Sequence, residues 1–367
     1  MKYDNIDLLK LQEQNVADAP RLVDTSFLWR VERMKSRRLA ELYRIAGYVD
    51  YAERCDCCAT WLRFNVLGDR KTLRSANFCR LRLCPMCVAR GARVRALKLS
   101  KIMDTVQADH GCQYLFLTLT VKNVSGDKLC ETLTQLADGW HRFIRQRPVA
   151  AVVKGWFRAL EITRNNKPGD PSYGTYHPHL HVIWSVEDGY FRKRNGLYLT
   201  PEDIQARWRQ ACRLDYDPVV DIRRTRSRKK SGGDDNANAA AVLEAAKYAT
   251  KDSDYISNSI SDDEAVEVVT IYTQALHRRR LTAFGGWLKD EARRLQAEDL
   301  DNVDLTEGDG SRIRDDLAEM IEEYGWHCGA GDYILSRRYV NPLRVMKVEQ
   351  PRGSARDAPA EQEARDY

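Results

Sequence analysis

Over residues 114–121 the side chains alternate. Leu115, Leu117, Leu119 and Val121 fall on one side and Phe116, Thr118 and Thr120 on the other, the period-two pattern of a strand with two distinct faces. Further strands are predicted at 156–163 and 177–186, the latter entered from a Gly/Pro/Ser-rich loop at 167–174. Elsewhere the spacing turns helical. It predicts helices over 89–103, over 128–146, over the Ala-rich 236–251 with Asn or Asp available as cap, and past Trp287. In the first fifty residues, Leu28, Val31, Met34, Leu39, Leu42 and Ile45 recur at spacings of three to five with charges between them, which predicts a helical packing or recognition arm. Strand, helix, then two strands make α+β with a mainly antiparallel sheet the expected fold class. There is no internal repeat and no apolar run of the roughly 18 residues a membrane span needs. The N-terminus lacks the basic-then-apolar order of a secretory leader, so the expected location is the cytoplasm, with no membrane partner.

The length of 367 residues and a hydrophobic content of 43% suit two or three modules. A net charge of +6 says little, but its distribution says more. From Arg70 to Met103 there are ten Lys or Arg and no acidic residue, whereas from Glu298 to Gly310 there are six acidic residues and no basic one. Further basic bursts lie at 223–230 and 278–280. Such segregation fits a phosphate-binding face, with Arg80, Arg82, Arg90, Arg93, Arg223, Arg224, Arg226 and Arg228 as the expected DNA contacts.

Six of the ten cysteines lie between Cys55 and Cys87, a crowding that in such a chain points to metal rather than disulfides. The pairs Cys55/Cys58 and Cys84/Cys87 each let one turn deliver two thiolates, with Cys57 and Cys79 as rivals for a position. Four of Cys55, Cys58, Cys79, Cys84 and Cys87 are therefore expected to hold a structural Zn²⁺.

Two further groups carry chemistry. His177, His179 and His181 share one face of their strand, and Glu161 in the preceding strand can join them if the two are neighbours. Mixed imidazole and carboxylate donors suit Mn²⁺ or Mg²⁺ serving phosphoryl chemistry, with Glu161 and His177 as rivals for the third position. On the predicted 236–251 helix, spacing of four aligns Glu244, Tyr248 and Asp252, with Lys251 beside Tyr248. Taken alone, that is an ordinary amphipathic helix.

In order, the segments FLTLTVKN at 116–123, HPHLHV at 177–182 and EAAKYATKD at 244–252 resemble the three motifs of rolling-circle plasmid replication initiators in the HUH endonuclease superfamily, single-tyrosine branch. FCRLRLCPMC at 78–87 and RRLTAFGGW at 279–287 are similar to flanking segments of those proteins, and the likeness covers about 50–300. The resemblance implies a five-stranded antiparallel sheet with helices, preceded here by the zinc-binding cysteine module. It also implies a metal held by His179 and His181, Tyr248 as the nucleophile that forms a 5′-phosphotyrosine bond, and Glu244 as the base that activates water for the terminating cleavage. The implied partners are plasmid origin DNA, single-stranded or as a hairpin nick site, and a host helicase and DNA polymerase; the chain has no Gly-x4-Gly-Lys-Ser/Thr loop of its own. A homodimer is left open. A transposase or relaxase, a zinc-containing regulator without nuclease activity, and a hydrolase using water are the alternatives. The expected domains are a helical arm at 1–50, a cysteine module at 51–103, the endonuclease domain at 104–295, an acidic linker at 296–310, a small module at 311–345 and a disordered tail at 346–367.

Overall fold

The computed structural model describes residues 19–24, 26–191, 198–225, 239–246, 249–257, 259–308 and 312–344. The predicted strands come together as a five-stranded antiparallel sheet. Its members are β3 (Gln113–Thr120), β4 (Val153–Arg164), β5 (Tyr176–Val186), β6 (Val220–Arg224) and β7 (Thr282–Gly285), in the order β6-β3-β5-β4-β7. Helices α4 (Gly126–Phe143) and α6 (Pro201–Cys212) cover one face of this sheet. There Phe143 stacks on Trp184 at 5.8 Å between ring centroids and meets Trp208 edge-on at 5.5 Å. These large side chains are buried; the Trp208 indole is satisfied by the Thr120 carbonyl at 2.9 Å, whereas the Trp184 indole N–H finds no partner among the described residues, a cost the buried apolar area offsets.

A second sheet holds β1 (Trp61–Leu67), β2 (Arg70–Ala76), β8 (Met320–His327) and β9 (Asp332–Val340), in the order β2-β1-β8-β9. The 311–345 segment is therefore not a module by itself. Its hairpin completes the sheet begun by β1 and β2, and side chains match across the join. Glu322 meets Lys71 at 2.5 Å and Arg338 at 2.5 Å, Glu323 meets Arg63 at 2.7 Å, and Phe64 packs edge-on against Tyr324. On the outer side, Leu22 N–H donates to the Tyr333 carbonyl at 3.0 Å, pulling the 20–22 segment against β9.

Three other expectations are corrected. In the N-terminal arm, the described helix α1 (Trp29–Ile45) is followed by α2 (Val49–Asp56), and α1 buries Trp29, Arg33, Ser36, Leu39, Ala40, Leu42 and Tyr43 while Leu28, Val31, Met34 and Ile45 are exposed. Polar residues win the inner face because they find partners. Ser36 accepts from Met86 N–H, and Arg33 donates to the carbonyl of Asp56. The acidic 296–308 stretch is a packed strap rather than a linker, since Leu300, Val303 and Leu305 are buried. Among the described residues the Ala-rich helix α7 is Ala239–Ala245, ending well before 251; beyond it the Ala249 carbonyl accepts from Ile162 N–H of β4 at 2.7 Å, and Asp252 starts a separate 3₁₀ turn. The chain leaves the helix to bond the sheet, so Glu244 and Asp252 do not share a helical face. The N-terminal 1–18 and the tail from 345 lie outside the described residues.

The remaining elements are α3 (Pro85–His110), α5 (Arg147–Val152), α8 (Asp262–Leu276) and α9 (Gly286–Arg294). Helix α3 is longer than predicted at both ends. Pro85 suits its first turn, and it stops at Gly111, whose φ of 59° is the left-handed cap that glycine tolerates.

Candidate active site

Register builds the site. In the β4–β5 ladder Glu161 pairs with His179 and Ala159 with His181, and period-two alternation turns Glu161, His179 and His181 to the same face, opposite the tryptophan core. Glu161 Oε2 lies 2.7 Å from His181 Nε2 and 3.6 Å from His179 Nε2. One donor atom from each of the three lies within 4.8 Å of the others, and all three residues are buried. The His179 Nδ1–H donates to the His177 carbonyl at 3.0 Å, which leaves the Nε2 lone pair facing the carboxylate. Lone pair against carboxylate oxygen is an arrangement that a cation resolves, so the donor set fits a metal ion. Burial works against ionisation of Glu161, yet protonated His179 and His181, which would donate to it when no cation is bound, outweigh burial and hold the carboxyl far below the ordinary range.

The His177 ring is not in this group. It sits at the entry of β5 opposite Thr163, and its contribution is the carbonyl that orients His179. Burial, then the neighbouring His179, push the His177 ring below the ordinary imidazole value. Sequence reasoning missed Thr118, whose hydroxyl is 3.4 Å from His181 Nδ1. The signal was present in the alternation of β3, which pairs Thr118 with His181 across the ladder. Phe116 stacks on the His181 ring at 5.3 Å.

Glu244 of α7 brings Oε1 to 3.7 Å from His181 Nε2, and Lys251 brings Nζ to 3.9 Å from Glu161 Oε1. Tyr248, the expected nucleophile between them, lies outside the described residues, as do Arg226 and Arg228. A cavity of about 350 Å³ adjoins the cluster, with Glu161, Thr250 and Lys251 on one side and Pro85, Val88 and Ala89 of α3 on the other. Lys35 of α1 also lines it and meets Asp252 at 2.7 Å. The cysteine module thus forms one wall of the site.

In that module Cys58, Cys79, Cys84 and Cys87 have their sulfurs within 4.8 Å of one another. Backbone N–H groups of Cys79 and Arg80 donate to the Cys58 and Cys87 sulfurs at 3.4 and 3.2 Å, and Cys84 and Cys87 sit at the start of α3, where the helix dipole favours thiolates. Burial pushes the Cys58 and Cys87 thiols up, while hydrogen bonds from Cys55 and Cys58 bring Cys79 down to about 6. Four thiols this close cannot all ionise unaided, so the set fits zinc. Cys55 lies beside the group, its thiol on the Ser36 carbonyl at 3.2 Å, and Cys57 is exposed.

The expected DNA contacts divide. Arg80 and Arg82 are exposed, Arg93 is half-buried with its guanidinium on the Ser26 carbonyl, and Arg223 and Arg224 are exposed on edge strand β6. Arg90 is corrected: it is fully buried, donating to the carbonyls of Leu305 and Glu307 at 3.0 and 2.8 Å beneath Phe27 and Trp29. It holds the strap, not a phosphate.

A family model described as replication protein matches residues 70–334. The chain is 34% identical over 326 residues to a protein named "Protein rep" of Bacillus amyloliquefaciens, covering 84% of this chain and 93% of that one. It is 35% identical over 280 residues to a "Protein rep" of Streptococcus pneumoniae serotype 2, covering 76% and 82%. A "Replication protein" of Staphylococcus aureus is 31% identical over 227 residues, covering 61% of this chain and 92% of that protein. No solved structure matches.

Proposed function

The chain belongs to the family of plasmid rolling-circle replication proteins, and from that premise we propose that it nicks and rejoins one strand of its plasmid origin through a covalent bond to Tyr248. The carrying observation is the convergence of Glu161, His179 and His181 between Glu244 on one side and Lys251 on the other. Glu161, His179 and His181 would hold a divalent ion, Mn²⁺ or Mg²⁺, which when bound supplies a positive centre for the oxygens of the scissile phosphate. The Tyr248 oxygen forms a bond to phosphorus as the bond to the 3′-oxygen breaks, the tyrosine proton is lost, and the departing oxygen is protonated to a 3′-hydroxyl. That hydroxyl primes synthesis by a host polymerase behind a host helicase. Lys251 favours the phenolate through its charge. In the last cleavage Glu244 takes a proton from water, whose oxygen bonds to phosphorus as the strand's 3′-oxygen leaves; that 3′-hydroxyl then attacks the phosphotyrosine, which closes the circle and frees the Tyr248 phenol, where a second tyrosine would have left another adduct. Cys58, Cys79, Cys84 and Cys87 would hold Zn²⁺ and fix the wall that carries Arg80 and Arg82 toward origin DNA.

The test is a denaturing gel of wild type and Tyr248→Phe incubated with labelled single-stranded origin oligonucleotide and Mn²⁺. A labelled protein adduct in wild type alone is the expected result. Cleavage without an adduct would make water the nucleophile, and no cleavage on any origin-derived strand would reduce the role to binding.

A further inference from the structure

Arg158 projects from β4 on the face opposite Glu161. It is 7% exposed, and among the described residues its guanidinium has no hydrogen-bond or salt-bridge partner. The charge of Asp301 acts on it, but that carboxylate makes its hydrogen bonds to the Leu281 and Thr282 N–H groups and the Thr282 hydroxyl, not to Arg158. Burial lowers Arg158 to about 10, so it is still a cation at neutral pH. A buried guanidinium that makes no hydrogen bond is costly, and the position suits a partner that brings acceptors.

The surroundings say what kind of partner. Arg158 lines a cavity of about 440 Å³ between the sheet and α4, within the size range of ligand pockets. Arg279, Arg280 and His141 line it too, and no acidic side chain does. Arg279 is committed to the Ala275 and Cys130 carbonyls and Thr134, whereas exposed Arg280 gives only its Nε, to the Thr282 carbonyl. Trp156, on the same face of β4 as Arg158, adds an aromatic wall. We infer that this cavity is a second nucleotide site, on the reverse side of the sheet from the metal-ligand cluster, in which Arg158 and Arg280 take a phosphate and Trp156 takes the adjoining sugar or base. Planar guanidinium donors match phosphate oxygens bidentately. The phosphate comes either from a free nucleotide or from a single strand.

Calorimetric titrations of the full chain with a deoxynucleoside 5′-monophosphate, and with a single-stranded oligonucleotide over a range of salt, separate these sources. Wild type should bind the monophosphate saturably, Arg158→Met at least about tenfold more weakly, and Arg280→Ala several-fold more weakly, since charged donors dominate phosphate affinity. If the phosphate belongs to a strand, the monophosphate binds poorly but Arg158→Met lowers the log–log salt slope of oligonucleotide binding by about one. Arg158→Met removes the charge but keeps an apolar chain, so without ligand its urea midpoint should equal or exceed that of wild type. No saturable monophosphate binding together with an unchanged salt slope would overturn the inference, as would a lower urea midpoint in the variant with ligand binding intact. Adduct formation by Tyr248 is a separate readout, so failure here and failure of the nicking reading are distinguishable.

Discussion

Glu161 and His179 are direct partners across the β4–β5 ladder, and their facing atoms stand 3.6 Å apart with the imidazole lone pair turned to the carboxylate. The pair is set by strand register rather than by loops, so the site is stiff before any ion or DNA arrives.

Removing a donor should therefore act on metal affinity first. Glu161→Ala or His179→Ala is expected to weaken Mn²⁺ binding by more than about 100-fold, and Thr118→Val, which strips only the orienting hydroxyl, by about tenfold. Titration calorimetry with Mn²⁺ checks the ranking. Equal losses in all three would count against Thr118 as an orienting partner.

Elemental analysis should find zinc in wild type, Cys84→Ser or Cys79→Ser should lose it, and Cys57→Ser should keep it. The thermal midpoint should drop in the same order, because binding energy at such a site is folding energy.

Glu244→Ala should still form the covalent adduct yet fail to release after a full circle. Accumulation of adduct in a turnover assay, at wild-type rates of first cleavage, is the expected signature.

Much of this was legible in the chain. Alternation exposes the strands and the shared face of Glu161, His179 and His181, because period two is a local property. Long-range pairing is not local, so residues 311–345 read as a separate module although β8 hydrogen-bonds to β1. Arg90 misled for a related reason: composition cannot tell a cation that meets phosphate from one caged by the carbonyls of residues 305–307. In α1 the aliphatic residues were counted and the polar ones were not, whereas Ser36 and Arg33 have partners that bring them inside.

Arg90→Ala follows from that cage. It leaves the carbonyls of residues 305–307 without their donor and should cost about 1–3 kcal/mol, read as a fall in the urea midpoint.

Glu322 gives a pH signature. Although burial works against its charge, hydrogen bonds from Lys71, Tyr324 and Arg338 hold its carboxyl below the ordinary value. The unfolded chain then binds the proton more readily, so this stabilisation is complete above the unfolded value and is lost as pH falls through the folded one. Glu322→Gln should be less stable than wild type at pH 7, with the gap closing below about pH 4. Urea unfolding at several pH values measures it, and a gap that is constant with pH would refute the assignment.

The sheet order β2-β1-β8-β9 places strands made early beside strands made last. During synthesis the β1 edge waits, unpaired, while every residue of the five-stranded sheet is added. A chain broken off after that sheet would carry Glu161, His179 and His181 without the β8–β9 hairpin that closes the sheet of the cysteine module, which forms the opposite wall. Completion of translation is thereby coupled to closure of the second sheet, the last piece of structure behind that wall.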